Sequence, residues 1–174
     1  LTEAQVNQYI GEAYFYMGFA HATLATYWGD AVINKTGMSL EDAYSLKRSP
    51  KADVLAWAYE CFDTAIKYLP DAMSSQMRPT KSAAYGFVAR FALFHQDWEK
   101  AATYAKNCMD MNVYQLHPDY GDLFVSSKSP ELMFYFKGDN AYNGGVGYYV
   151  GNEVKAFTPR QYGAFCNTGP SFSL

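Results

Sequence analysis

The chain has 174 residues, enough for one compact domain or a large piece of a bigger protein, with 49% hydrophobic and 18% aromatic residues. Its formal charge of -3 comes from interspersed acids and bases, so there is no basic stripe to match a phosphate backbone and nucleic acid is not the expected partner. No window approaches the roughly 20 consecutive apolar residues that a membrane-spanning helix needs.

Over residues 2–28, Val6, Tyr9, Ile10, Ala13, Tyr14, Met17, His21, Leu24 and Trp28 recur at three- and four-residue steps, the spacing of one helix face. Thr2 with Gln5 makes a capping box at its start. Trp28, on that stripe, is expected in the core, the other reading being an exposed binding platform at the helix exit. Gly29 and Asp30 stop the helix, and the polar stretch up to Ser49 reads as a loop with one helical turn around residues 41–44. Ser49 then serves as N-cap with Pro50 at the first helical position. Val54, Leu55, Ala58, Cys61, Phe62, Ala65, Ile66 and Leu69 form a second stripe that Pro70 ends. Thr80 caps a third helix whose inward residues are Ala83, Ala84, Phe87, Val88, Phe91 and Ala92. Asp97 starts a fourth, with Trp98, Ala101, Ala102, Tyr104, Ala105 and Cys108 inward.

Only His95, Gln96 and Asp97 separate the last two helices, which therefore pair tightly and antiparallel. Ala89, Ala92, Ala101 and Ala105 let their axes approach, and Gly18 with Ala58, Phe62 and Ala65 stands in the same relation in the first pair. Beyond Asn112 the helical period is lost. Residues 113–116 read as a short extended segment, 132–136 as a strand, and 138–174, rich in Gly, Asn and Tyr, as long ordered loops. The fold class is mainly α: antiparallel helix pairs over residues 1–112, followed by an irregular, loop-rich segment over residues 113–174 of the same domain.

Catalytic chemistry finds no foothold in the motifs: there is no Gly-flanked Ser elbow, phosphate-cradling loop or zinc-type His spacing. His21, His95 and His117 are scattered, and Glu41 and Asp42 sit in a solvated polar run. Cys61, Cys108 and Cys166 lie too far apart for a metal or redox motif, and the first two fall on apolar helix faces. Arg78, Lys81 and Arg90 near the third helix read as helix-terminal salt bridges before an anion site. No catalytic residue, metal ligand or cofactor is expected, and the chain reads as a non-enzyme. It opens on Leu1 with no signal peptide or lipid-modified Cys, and reads as an excerpt of a longer protein.

The helix-turn-helix around Val88, Ala89, Trp98, Glu99, Ala101 and Ala105 resembles a tetratricopeptide pair. The order of landmarks is more specific. Tyr27-Trp28-Gly29-Asp30 closes the first helix, Leu69-Pro70 the second, and Arg78, Thr80, Lys81, Ala83 and Ala84 open the third. Trp98-Glu99-Lys100-Ala101-Ala102, Tyr114-Gln115-Leu116, Tyr120-Gly121-Asp122-Leu123-Phe124 and Pro130-Glu131-Leu132-Met133-Phe134 follow. In this order over residues 9–136 they resemble the SusD/RagB family of outer-membrane nutrient-binding lipoproteins of Bacteroidetes-like bacteria. The chain departs from the family pattern where Tyr14-Phe15-Tyr16 stands in place of an Arg after the Glu-Ala pair, and where Ala31-Val32 replaces Val-Pro.

The resemblance implies a SusD-like α-α superhelix, anchored at the cell surface by a lipid outside this chain. It implies a protein that captures oligosaccharides, before peptides, and delivers them to a TonB-dependent SusC-like transporter. Recognition would then lie in the loops after residue 136, where Asp139, Asn140, Tyr142, Asn143, Tyr148, Tyr149 and Asn152 combine aromatic faces with amide and carboxylate groups. A pyranose offers C–H faces to such rings and hydroxyls that need fixed partners. Gly144, Gly145, Gly147 and Gly151 would allow the tight turns that present the rings. The same tyrosines would otherwise pack the loop onto the scaffold. The alternative function is a tetratricopeptide-type protein-interaction scaffold without a small-molecule ligand.

Overall fold

Residues 1–37, 39–72, 75–118 and 130–135 are described by the computed structural model, and five helices form among them. They are α1 (Glu3–Trp28), α2 (Leu40–Ser45), α3 (Lys51–Tyr68), α4 (Lys81–Phe94) and α5 (Trp98–Asp110). All belong to one unit, Leu1–Leu116 with Pro130–Phe134, which is mainly α as expected. None of the described helices is long and apolar enough to cross a membrane.

The helix starts follow their caps. Thr2 accepts from the Gln5 N–H at 3.3 Å while the Gln5 side chain accepts from the Thr2 N–H at 2.9 Å, the reciprocal pair read from the sequence. Thr80 accepts from Ala83 and Asp97 from Lys100 at the starts of α4 and α5. The start of α3 differs from expectation. Pro50 occupies the cap position and Ser49 lies outside, bridging antiparallel to Ala31. The Lys51 N–H is met instead by the Asp30 carboxylate at 2.8 Å. Gly29, at φ +76°, turns the chain so that Asp30 caps the next long helix rather than its own.

Helix α1 packs on α3 and α4 on α5, with α3 and α1 also against α4. The face that α1 buries shares only His21 with the expected stripe of large residues. It is Gly11, Phe15, Gly18, His21, Ala22 and Ala25, whereas Val6, Tyr9, Ala13, Leu24 and Trp28 are exposed. The cause is close approach. A Cβ on Gly18 would stand 3.0 Å from the Ala58 carbonyl oxygen and 3.1 Å from the Phe62 ring, and one on Gly11 2.9 Å from Leu69. Large side chains cannot occupy such a seam, so they are turned outward. On α5 the expectation also fails in part: Ala101 is buried, but Trp98 and Ala102 are exposed.

Phe15 is the hub of the core. Its ring meets Phe62 of α3 at 5.8 Å, Phe87 of α4 at 5.4 Å and Phe134 at 5.3 Å, all edge to face, the arrangement that aromatic quadrupoles favour. Cys61 lies buried on α3, as its position on the second stripe implies. Residues 132–135 bring Phe134 into this core but are not a strand. Side chains meet their backbone carbonyls: Gln76 Nε2 donates to the Leu132 carbonyl at 2.7 Å and the Tyr114 hydroxyl to that of Met133 at 3.4 Å. Residues 113–116 likewise carry no strand, and the Gln115 N–H donates to the Pro130 carbonyl at 3.3 Å.

Candidate functional site

Asp139, Asn140, Tyr142, Asn143, Tyr148, Tyr149 and Asn152 lie outside the described residues, as does Cys166. The described helical unit offers three surface features of its own. The first is a cleft of about 210 Å³ between α4 and the Pro130–Phe134 segment. Helix α4 supplies Ala83, Gly86, Phe87 and Arg90 at three- and four-residue steps, and the other wall is Glu131, Leu132, Met133 and Phe134. Gly86 permits the close fit, since the Met133 Cε lies 3.2 Å from where a Cβ would be. The Arg90 guanidinium sits 5.8 Å from the Phe94 ring centroid.

The second is a groove of about 450 Å³ between α4 and α5, lined by Ala89, Leu93, Trp98, Ala101, Ala102 and Ala105 beside Arg90. It is almost wholly apolar, and Leu93 and Trp98 on its rim are 56% and 62% exposed. The third is a pair of rings at the end of α1. Tyr27 and Trp28 are 76% and 65% exposed and stand edge to face at 5.9 Å. Trp28 is therefore no core residue: it is exposed at the last residue of α1.

The charged groups expected near α4 resolve into pairs. Arg78 reaches back to α1, with Nε 2.8 Å from one Glu12 oxygen and Nη2 3.0 Å from the other. That bidentate pair, with the Tyr9 ring beside the guanidinium, raises the Arg78 pKa. Lys81 pairs with Asp71 at 2.7 Å. Both are the salt bridges that the sequence suggests, while Arg90 instead lines the cleft and the groove.

The remaining titratable groups serve the scaffold. Burial pushes the Cys61 thiol up to about 12, with the Glu60 carboxylate adding to it, and burial also raises Cys108. Both thiols are thus held protonated at neutral pH, which makes them poor nucleophiles. Tyr59 is pushed up to about 12 by burial and by Asp97, and Tyr104 is raised by burial and by its hydrogen bond to Asp63. His95, at the end of α4, is lowered by burial and by the Lys51 charge. Thr26 Oγ1 donates to the Ala22 carbonyl at 2.7 Å, so it accepts from His95 Nε2 at 3.0 Å, tying α1 to the α4–α5 turn.

Sequence reasoning placed Phe87 on the inward face of α4 and missed the cleft beside it. The available signal was Gly86, a glycine inside a helix with no role in the helix pairing, which marks a place where something approaches closely.

Comparison with known proteins gives a consistent result. The SusD-like family model described as "Starch-binding associating with outer membrane" matches residues 1–93. The SusD-like protein P2 of Formosa agariphila is 26% identical over 136 residues, which cover 75% of this chain and 26% of that protein. A crystal structure of a SusD-like carbohydrate binding protein from Bacteroides vulgatus superposes with a TM-score of 0.72 at 19% identity, covering 87% of this chain and 34% of that one. A SusD superfamily protein from the same species gives 0.69 at 26% identity, over 77% and 29%. The chain thus spans about a quarter to a third of the length of these relatives.

Proposed function

The chain belongs to the SusD-like family, and on that premise we propose that it is the helical scaffold region of a cell-surface binding protein of the outer membrane, which captures oligosaccharides and passes them to a TonB-dependent SusC-like transporter. The observation that carries the reading is the family match over residues 1–93, whose description names both starch and the outer membrane. Residues 1–112 serve as the rigid helical region, and residues 113–174 carry recognition within the same domain. A lipid outside this chain holds the protein at the surface. The core around Phe15 supports the scaffold role, because rings from α1, α3, α4 and residue 134 lock one another in place.

The ligand groups are Asp139, Asn140, Tyr142, Asn143, Tyr148, Tyr149 and Asn152, with tyrosine rings for C–H faces and amides for hydroxyls. A calorimetric titration of the full-length protein with maltoheptaose, backed by a glycan array, is expected to show saturable binding. The Tyr148→Ala and Tyr149→Ala double variant is expected to weaken it about tenfold, the loss of two stacking rings. Affinity within twofold of wild type would remove the site assignment. Absence of glycan binding, with no large barrel co-purifying from outer membranes, would remove the function. The apolar α4–α5 groove favours a second reading, a tetratricopeptide-type interaction scaffold without a small-molecule ligand, and the same titration separates the two.

A further inference from the structure

Three sulfur-bearing side chains gather around one residue of α4. Ser82 is fully buried; its carbonyl oxygen lies 3.4 Å from Cys108 Sγ of α5, and its hydroxyl donates to Met111 Sδ at 3.2 Å. Met111 caps α5 one turn beyond Cys108, so both residues fall on the same side of that helix. From the Pro130–Phe134 segment Met133 brings its Sδ to 3.7 Å from Cys108 Sγ. Met133 is fixed at two points: its carbonyl accepts from the Tyr114 hydroxyl at 3.4 Å, and its Cε lies 3.2 Å from where a Cβ on Gly86 would stand. The spacing of the cysteines carries no metal motif, because two of these donors are thioethers and Met133 stands 25 residues from Cys108.

The donor set selects its ion. One thiolate with two thioethers suits Cu(I), whereas zinc and the hard cations take sets of thiolate, imidazole or carboxylate. Among the described residues no cluster of three or more His, Cys, Asp or Glu side chains could hold such an ion. Metal–sulfur bonds of about 2.3 Å put two ligands of a trigonal or tetrahedral ion about 3.8–4.0 Å apart. The 3.7 Å between Cys108 and Met133 is already near that spacing. Charge points the same way, since one thiolate cancels a monovalent ion, while a divalent ion would leave charge uncompensated in a half-buried place. Burial raises the Cys108 thiol, so the free thiolate is disfavoured until a cation takes the place of its proton. Binding releases that proton to solvent and transfers no electron. The Ser82 hydroxyl occupies one lone pair of the Met111 sulfur and leaves the other for the ion. Cys108, Met111 and Met133 are each half-buried, which leaves a path of entry. We propose that Cys108, Met111 and Met133 form a three-sulfur site for Cu(I), with Ser82 holding the thiol and one thioether in place. The site is independent of the carbohydrate-binding reading.

The test is an anaerobic titration of the full-length protein with Cu(I) in competition with bathocuproine disulfonate, followed by X-ray absorption at the copper edge. Wild type is expected to hold Cu(I) against the chelator in a shell of sulfur alone. Changes next to a metal's ligands cost about 10–100-fold in affinity, so Cys108→Ser, Met111→Leu and Met133→Leu are each expected to weaken binding at least about tenfold. Cys166→Ser, at a position outside the described residues, is expected to stay within twofold of wild type. Leucine nearly conserves the volume of methionine, so thermal melts close to wild type are expected for both methionine variants, and these carry the test should Cys108→Ser fail to fold. Loss of all Cu(I) to the chelator in wild type, wild-type affinity in any of the three ligand variants, or a shell of nitrogen or oxygen each overturns the site and leaves the sulfurs as packing contacts.

Discussion

The two helix pairs use the same device, small side chains where helix axes cross, and they use it to opposite ends. In the α1–α3 pair the device is closed. Gly18 lies against the Ala58 carbonyl and the Phe62 ring, and Phe15, Ala58 and Phe62 are fully buried. In the α4–α5 pair it is open. Ala101 is the buried residue of α5, and Ala89, Ala102 and Ala105 line a groove whose rim, Leu93 and Trp98, faces outward. A stripe of small residues thus specifies close approach without specifying what approaches. The first pair is a core, and the second, with the cleft on its other flank, is where the scaffold presents surface.

Deleting one aromatic ring from each pair breaks this contrast most sharply. Phe15→Ala removes the edge-to-face contacts to Phe62, Phe87 and Phe134 from a fully buried site and is expected to cost about 3–5 kcal/mol in urea unfolding of the full-length protein. Trp98→Ala, at a position 62% exposed, is expected to cost less than about 1 kcal/mol. Equal losses would mean that the groove is as well packed as the core, and the distinction between the pairs would fail.

Adding volume sharpens the same comparison from the other side. Gly18→Val must push a branched Cβ against a backbone oxygen 3.0 Å away, which cannot yield as a flexible side chain would, and about 2–3 kcal/mol of destabilisation is expected. Ala105→Val points its methyl groups into the open groove and is expected to cost only the helix-propensity difference, roughly 0.5 kcal/mol. A tolerated Gly18→Val would show that α1 and α3 can separate without loss.

These residues also show what the sequence could and could not reveal. The capping residues Thr2, Thr80 and Asp97 were legible because a cap is a local bond within four residues. The α3 stripe was legible because its buried face holds large apolar side chains, Val54, Phe62 and Leu69. The α1 face was misread for the converse reason. Counting bulk selects Tyr9, Leu24 and Trp28 along with His21, and of these only His21 is buried; the rest of the buried face is Gly11, Gly18, Ala22 and Ala25 around Phe15. Asp30 was read as a stop signal because its partner, the Lys51 N–H, lies 21 residues on. The cleft was hidden likewise, since α4 and residues 131–134 come to line it only through the fold, and no periodicity links positions so far apart.

The smallest effect tests the joint between the two pairs. His95 donates from Nε2 to Thr26, so its neutral form already serves the contact, and burial with the nearby Lys51 charge holds its pKa below the usual 6.5. Glu60, Asp63, Asp97 and Lys100 line, with His95, a separate hollow between α3 and the α4–α5 turn, and the downward shift is the balance over that surrounding. A depressed pKa in the folded state means that the unfolded chain binds the extra proton more readily. The contribution of His95 is therefore complete above pH 6.5 and declines as pH falls from there through the lower folded value. Because the ring is partly solvated, the change between pH 7.5 and 5 is expected to be about half a kcal/mol or less. His95→Gln keeps an N–H donor for Thr26 and removes the titration, so its urea midpoint should fall less over that interval than that of wild type. Parallel pH profiles would show that the α1 to α4–α5 joint is indifferent to the charge on His95.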